Sequence, residues 1–212
     1  MIKTYFPNRE FKAYLFDFDG TVADTMPVHH VAWNEALSLY NLTLTLEQHH
    51  GWAGRPTREI IELLNQTHNI TLPVDDILKF KEQHYLNSIP SVKAIVPVVE
   101  IIKAAHGKVP MAIVSGSRRK PVETTLKQIG MSHFFDLLVC AEDYTHGKPA
   151  PDCFLKAAKL LGVPPDDCLV FEDAVLGIEA AHAAGMMCLR VDTHPEDGHR
   201  LSISELKTKL EN

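Results

Sequence analysis

Two aspartates, Asp17 and Asp19, follow directly on the apolar run Ala13-Tyr14-Leu15-Phe16, and Gly20 and Thr21 come next. Ionised carboxylates at the end of a core strand are costly unless a cation or hydrogen bonds compensate them. At i and i+2 of an extended chain both acids project to one side, while Phe18 turns into the core. That pattern suits a divalent cation combined with phosphoryl or acid–base chemistry. One carboxylate can attack phosphorus and carry it; the other can give and take a proton.

The elements that must position such a pair can be read from periodicity. After Thr21 the pattern turns helical, with Val28, Val31, Ala32, Ala36 and Leu39 on one face and Pro27 in the first turn. Further helices are expected over Pro56–His68 and Val74–Ile89, and no convincing strand occurs between residues 26 and 92. From Val96 onward helices and short apolar strands alternate. Helices are expected over Pro97–His106, Lys120–Ile129, Asp152–Leu161, Val175–Ala184 and Ile203–Leu210, and strands over Met111–Val114, Leu137–Ala141, Cys168–Phe171 and Met187–Val191. The alternation predicts an α/β fold, a doubly wound parallel sheet interrupted by an all-helical insert.

In such sheets ligands lie beyond the carboxyl ends of the strands, and the residue types there form a coherent set. The strand Met111–Val114 ends in Ser115-Gly116-Ser117, the strand Cys168–Phe171 ends in Glu172-Asp173, and Lys148 stands in the loop Gly147-Lys148-Pro149-Ala150-Pro151 before a helix. Hydroxyls, backbone N–H groups and an ammonium neutralise phosphate oxygens, and carboxylates hold Mg²⁺.

Asp-Phe-Asp-Gly-Thr, Val-Ser-Gly-Ser, Lys148-Pro and Phe-Glu-Asp-Ala, in this order, resemble the four motifs of the haloacid dehalogenase superfamily. The wider pattern Lys-Pro-Ala-Pro-Asp…Phe-Glu-Asp-Ala-x-x-Gly-Ile-x-Ala-Ala is similar to its β-phosphoglucomutase-like branch, which includes bacterial fructose-1-phosphate phosphatases. The resemblance covers nearly the whole chain. It implies Asp17 as nucleophile, Asp19 as general acid/base, and Ser115, Gly116, Ser117 and Lys148 around the phosphate. It also implies Mg²⁺ on the Asp17 carboxylate, the Asp19 backbone carbonyl and the Asp173 carboxylate, with Glu172 in or beside that shell. Residues 1–25 and 94–212 would be the core domain and 26–93 a helical cap. The acid at position 19, which the founding dehalogenases lack, argues for phosphate over halide.

Composition sets the outer bounds. The 212 residues are 45% hydrophobic and 23% charged, with a net charge of −6 and no basic run, so a nucleic-acid surface is not indicated. Neither a signal peptide nor a membrane span is expected. Cys140, Cys153, Cys168 and Cys188 show no Cys-x-x-Cys spacing, which fits a reducing cytosol, and a monomer is the default expectation.

Bland readings stand beside the sharp ones. An EF-hand starting at Asp17 fails, because Thr21, Val22 and Val28 are the wrong residues for its loop. His29 is either a contact to the Asp19 loop or a packing histidine. Arg118, with Arg119, Arg55 and Arg58, is a candidate for substrate binding or a solvated charge; Trp33 and Trp52 are read as packing. A phosphatase acting on a small sugar phosphate leads. A phosphomutase with the same chemistry follows, and a non-catalytic binding protein on the same fold comes last.

Overall fold

The computed structural model describes residues 9–191. The expected helix Ile203–Leu210 and the tail histidines His194 and His199 lie outside them.

The first strand, β1 (Ala13–Phe16), is the centre of a five-stranded parallel sheet ordered β3-β2-β1-β4-β5, where β2 is Met111–Val114, β3 Leu137–Val139, β4 Cys168–Glu172 and β5 Met187–Arg190. Leu15 is paired with Ala112 on one side and Val170 on the other. Because β1 is buried on both faces, its four residues are all apolar rather than alternating. Tyr14 and Phe16 enter one core with α5 (Val96–Ala105) and α6 (Arg119–Gln128). Ala13 and Leu15 enter the other with α7 (Asp152–Leu161) and α8 (Val175–Ala183). Phe16 stacks on Phe171 of the neighbouring strand, ring centroids 4.4 Å apart. Burying each such ring contributes about 1.5–3 kcal/mol, so both flanks of β1 are fixed where the chain leaves the sheet towards Asp17.

Strand order reverses beside β1: the chain runs outward through β2 and β3, then returns to β4 and β5. A reversal of this kind opens a crevice at the carboxyl ends of the strands.

Between β1 and β2 the chain forms α1 (Met26–Ser38), α2 (Leu46–Gly51), α3 (Thr57–His68) and α4 (Val74–Ser88) before reaching α5. Helices α1, α3 and α4 bury their own core, built on Trp33, Leu37, Ile61, Leu64 and Ile77. Helix α2 was not expected from periodicity. Six residues, Leu-Glu-Gln-His-His-Gly, carry no apolar face, but Thr45 and Gln48 form a reciprocal capping box that starts it. The third expected strand is shorter than its apolar run suggested: it ends at Val139, and Ala141–Asp143 turn as a 3₁₀ helix stabilised by the Asp143 side chain on the Cys140 N–H.

Candidate active site

The chain end of β1 turns sharply. Phe18, fully buried, offers its carbonyl to the N–H groups of Val22 and Ala23, and Gly20 takes φ +91°. A side chain at Gly20 would overlap the Asp173 carboxylate, so only glycine lets the β1 and β4 ends approach. Thr21 Oγ donates to Asp173 Oδ1 at 2.7 Å across the same gap.

Asp17, Glu172 and Asp173 form one acidic cluster, with a carboxylate oxygen of each within 4.8 Å of the others. Lys148 reaches in from the loop before α7 and is fully buried; its Nζ donates to Asp17 Oδ1 at 2.5 Å and to Glu172 Oε1 at 2.8 Å. The other Glu172 oxygen accepts from the Ala174 N–H. One ammonium faces three carboxylates. Burial drives Asp17 well above the usual carboxylate range, opposed by Lys148 and reinforced by Glu172 and Asp173. Burial, with Glu172 next to it, pushes Asp173 up to about 7. The donor set is all oxygen and short of positive charge, which fits a hard divalent cation.

Asp19 is in different surroundings. Its Oδ1 accepts from Thr25 Oγ (2.7 Å) and faces His29 Nε2 (2.9 Å), while Oδ2 accepts from Ser115 Oγ (3.1 Å) and Ser117 Oγ (2.7 Å). Burial works against ionisation of Asp19, but His29 and these hydroxyls outweigh it and hold the carboxyl far below its ordinary range. Two aspartates two residues apart are thus driven in opposite directions, the signature of separate roles.

His29 comes from α1, and its ring lies parallel to Tyr85 of α4 at 4.2 Å. Its Nδ1 is 3.1 Å from Nζ of Lys81, also on α4. An ammonium can only donate, so Nδ1 accepts and Nε2 carries the hydrogen that points at Asp19. Burial and the Lys81 charge lower the His29 pKa against the pull of Asp19, consistent with this neutral tautomer.

Of the residues singled out in the sequence, the structure brings Asp17, Asp19, His29, Ser115, Gly116, Ser117, Lys148, Glu172 and Asp173 together. In this arrangement Ser115 and Ser117 bond Asp19. Arg118 lies apart, half-exposed and paired with Glu82 of α4 and Glu142. Sequence reasoning missed Thr25, Lys81 and Tyr85, because each owes its position to packing of the insertion on the sheet. A cleft open to solvent lies over Asp17 and Asp19 and is walled by the insertion through Trp33, His49, Trp52, Arg55 and Lys81.

The insertion reaches the strand ends through glycines. A methyl group on Gly116 would lie 2.5 Å from the Gly54 carbonyl, one on Gly147 would overlap Pro56, and the Gly147 N–H donates to Glu59 Oε1.

Residues 14–191 match the model of the haloacid dehalogenase-like hydrolases. The chain belongs to that family. Within it the chain falls in the β-phosphoglucomutase-like branch, and it is a phosphoric monoester hydrolase of the haloacid dehalogenase type. A fructose-1-phosphate phosphatase of Escherichia coli is 38% identical over 172 residues, 81% of this chain and 92% of that protein. A phosphorylated carbohydrates phosphatase of Thermotoga maritima is 29% identical over 82% of each chain. Among solved structures, a β-phosphoglucomutase from Clostridium difficile superposes with a TM-score of 0.82 at 22% identity, covering 95% of this chain and 97% of that one. That likeness speaks for the fold. Among the described residues no helix is long and apolar enough to cross a membrane.

Proposed function

We propose that the protein is a Mg²⁺-dependent phosphatase that hydrolyses small sugar phosphates, fructose 1-phosphate among them, through a phosphoryl group carried on Asp17. The observation that carries this reading is the opposite treatment of the two aspartates. Asp17 sits with Lys148 among acids that require a cation, and Asp19 sits among four hydrogen-bond partners that control its proton. The E. coli relative supports the substrate class.

Mg²⁺ would be held by the Asp17 and Asp173 carboxylates and the Asp19 carbonyl, with Glu172 beside it; when bound, it draws charge from the phosphoryl oxygens. An Asp17 oxygen attacks phosphorus, and the bond from phosphorus to the sugar oxygen breaks. Lys148 and the Ser115–Ser117 loop stabilise the equatorial oxygens. In its acid form Asp19 gives its proton to the departing sugar oxygen. Transfer of the serine hydroxyls from Asp19 to phosphate weakens their hold on its carboxylate and favours that acid form. As carboxylate, Asp19 then takes a proton from water, whose oxygen attacks phosphorus. The Asp17–phosphorus bond breaks and inorganic phosphate leaves.

Residues 26–93 would be the cap and 1–25 with 94–212 the core domain, acting as a monomer. All four cysteines are free, in keeping with a reducing cytosol. The test is a phosphate-release assay over a panel of sugar phosphates with Mg²⁺. Release from fructose 1-phosphate without a primer is expected. Conversion of β-glucose 1-phosphate to glucose 6-phosphate, dependent on a bisphosphate primer, with no phosphate release, would overturn it in favour of a mutase.

A further inference from the structure

The loop that follows β2 has its carbonyls tied back. Val114 O accepts from Lys148 Nζ at 3.4 Å, Ser117 O from the Ala141 N–H at 3.0 Å, and Ser115 O from the Tyr144 hydroxyl, also at 3.0 Å. Of these donors, Tyr144 is the one whose side chain the chemistry has not yet used. Its ring packs against the core that holds Ala13, Leu15 and Phe154, and its hydroxyl spans 29 residues of sequence to reach a single main-chain oxygen. Burial pushes the phenol well above its ordinary range, so the hydroxyl keeps its proton and donates. Tyr144 also shares with Lys148 the segment between β3 and α7.

The Ser115 carbonyl and the Gly116 N–H belong to one peptide plane. That peptide is trans, since among the described residues only Lys148-Pro149 is cis, and the two groups therefore point in opposite directions. Drawing the carbonyl towards Tyr144, which stands outside the cleft lining, turns the Gly116 N–H the other way. Gly116 itself lines the cleft with Asp17 and Asp19, and among the described residues no group accepts from its N–H. The neighbouring Ser117 N–H, in contrast, is taken by Ser115 Oγ at 2.9 Å. We infer that Tyr144 is a positioning residue, which holds the Ser115–Gly116 peptide so that the Gly116 N–H meets a phosphoryl oxygen. A peptide free to turn over would offer that oxygen a carbonyl, replacing attraction by repulsion. The inference rests on the phosphatase reading and adds to it. The segment that delivers the Lys148 ammonium also sets the polarity of the serine loop, so both sides of the phosphate cradle are ordered by one piece of chain.

Ser115-Gly116 is the only Ser-Gly pair in the sequence, so protein labelled with ¹³C-carbonyl serine and ¹⁵N-glycine reports that single N–H by NMR. Wild type and Tyr144→Phe are titrated with inorganic phosphate in the presence of Mg²⁺, and kcat/KM is measured for fructose 1-phosphate. In wild type the Gly116 amide proton is expected to move downfield as phosphate binds. In Tyr144→Phe, phosphate affinity and kcat/KM are each expected to fall about tenfold, the worth of one hydrogen bond. The Mg²⁺ requirement is expected to stay as in wild type. A wild-type signal that does not respond to phosphate overturns the proposal, and so does an equal response at equal phosphate in the variant. A merely structural role would lower Tm and leave the phosphate affinity of the folded molecules unchanged, which is that second result. Absence of phosphate release from every ester, with the Gly116 shift present and weakened in the variant, would overturn the phosphatase reading and leave the role of Tyr144 standing.

Discussion

Lys81 and His29 belong to different helices of the insertion and meet at 3.1 Å, where the lysine ammonium fixes which ring nitrogen of the histidine bears hydrogen. The consequence is felt at Asp19, the next group in the chain of contacts. Burial, against the opposing pull of Asp19 and Glu82, brings Lys81 down to about 8. As pH rises through that value the ammonium loses its proton and Nδ1 loses its obligatory donor. The rate is expected to fall on that alkaline limb. Lys81→Met is expected to be about tenfold slower at neutral pH and to lack the limb near pH 8. A kcat/KM profile between pH 6 and 10 checks both.

Asp17→Asn is expected to lose about 10⁴-fold or more in kcat, as befits a nucleophile, while remaining folded, because Lys148 keeps Glu172 as a partner. Lys148→Met is a different kind of damage. It strips the only ammonium in contact with the acidic cluster among the described residues and leaves buried carboxylates uncompensated. Urea unfolding of the metal-free variant is expected to show a loss of about 3–5 kcal/mol.

Thr25 stands at the N-cap of α1, yet its side chain makes no capping bond; its hydroxyl goes to Asp19 instead. Thr25→Val is therefore expected to reduce kcat by about tenfold and to change Tm far less than loss of a true cap would. Thr25→Ser is expected to retain both. Paired kinetics and thermal melts separate the two effects.

Inside a helix, glycine to alanine usually stabilises by up to about 1 kcal/mol. At Gly177 in α8 the sign reverses, because an added methyl would overlap the Glu172 carboxylate. Gly177→Ala is expected to destabilise by about 1–3 kcal/mol and to weaken metal dependence, measured by denaturant melts and by a Mg²⁺ titration of activity.

Chelation is expected to abolish turnover, and added Mg²⁺ to restore it. Because burial raises Asp173 to about 7, metal must displace a proton there below that pH. Apparent Mg²⁺ affinity is expected to climb as pH rises from 6 to 8 and to level off above; activity titrations at several pH values measure it.

The sheet and the strand-end residues were legible because each depends on local pattern. Apolar runs of four or five residues mark β1, β2 and β4, and the chemistry follows at the next position. The helical character of residues 26–92 was equally plain, except α2, whose capping signature Thr45-x-x-Gln48 was present but unread. What sequence spacing could not supply was docking. His29 could be placed near the hinge, but whether it touched Asp19 depended on Lys81, 52 residues on, and on Tyr85 against its ring. Arg118 looked as suited to a phosphate as Arg55. Only the positions of Glu82 and Glu142 withdraw it.

The insertion keeps its own apolar interior, and it meets the strand ends at Gly116 and Gly147, against the Gly54 carbonyl and the Pro56 and Glu59 side chains. Because that interior is separate from the two cores of the sheet, inner-wall residues other than His29 and Lys81 can be exchanged without disturbing the packing that sets Asp17 against Lys148. Under selection the range of molecules turned over can drift while the reaction stays the same, and new specificities are reachable by single steps from a protein that still works.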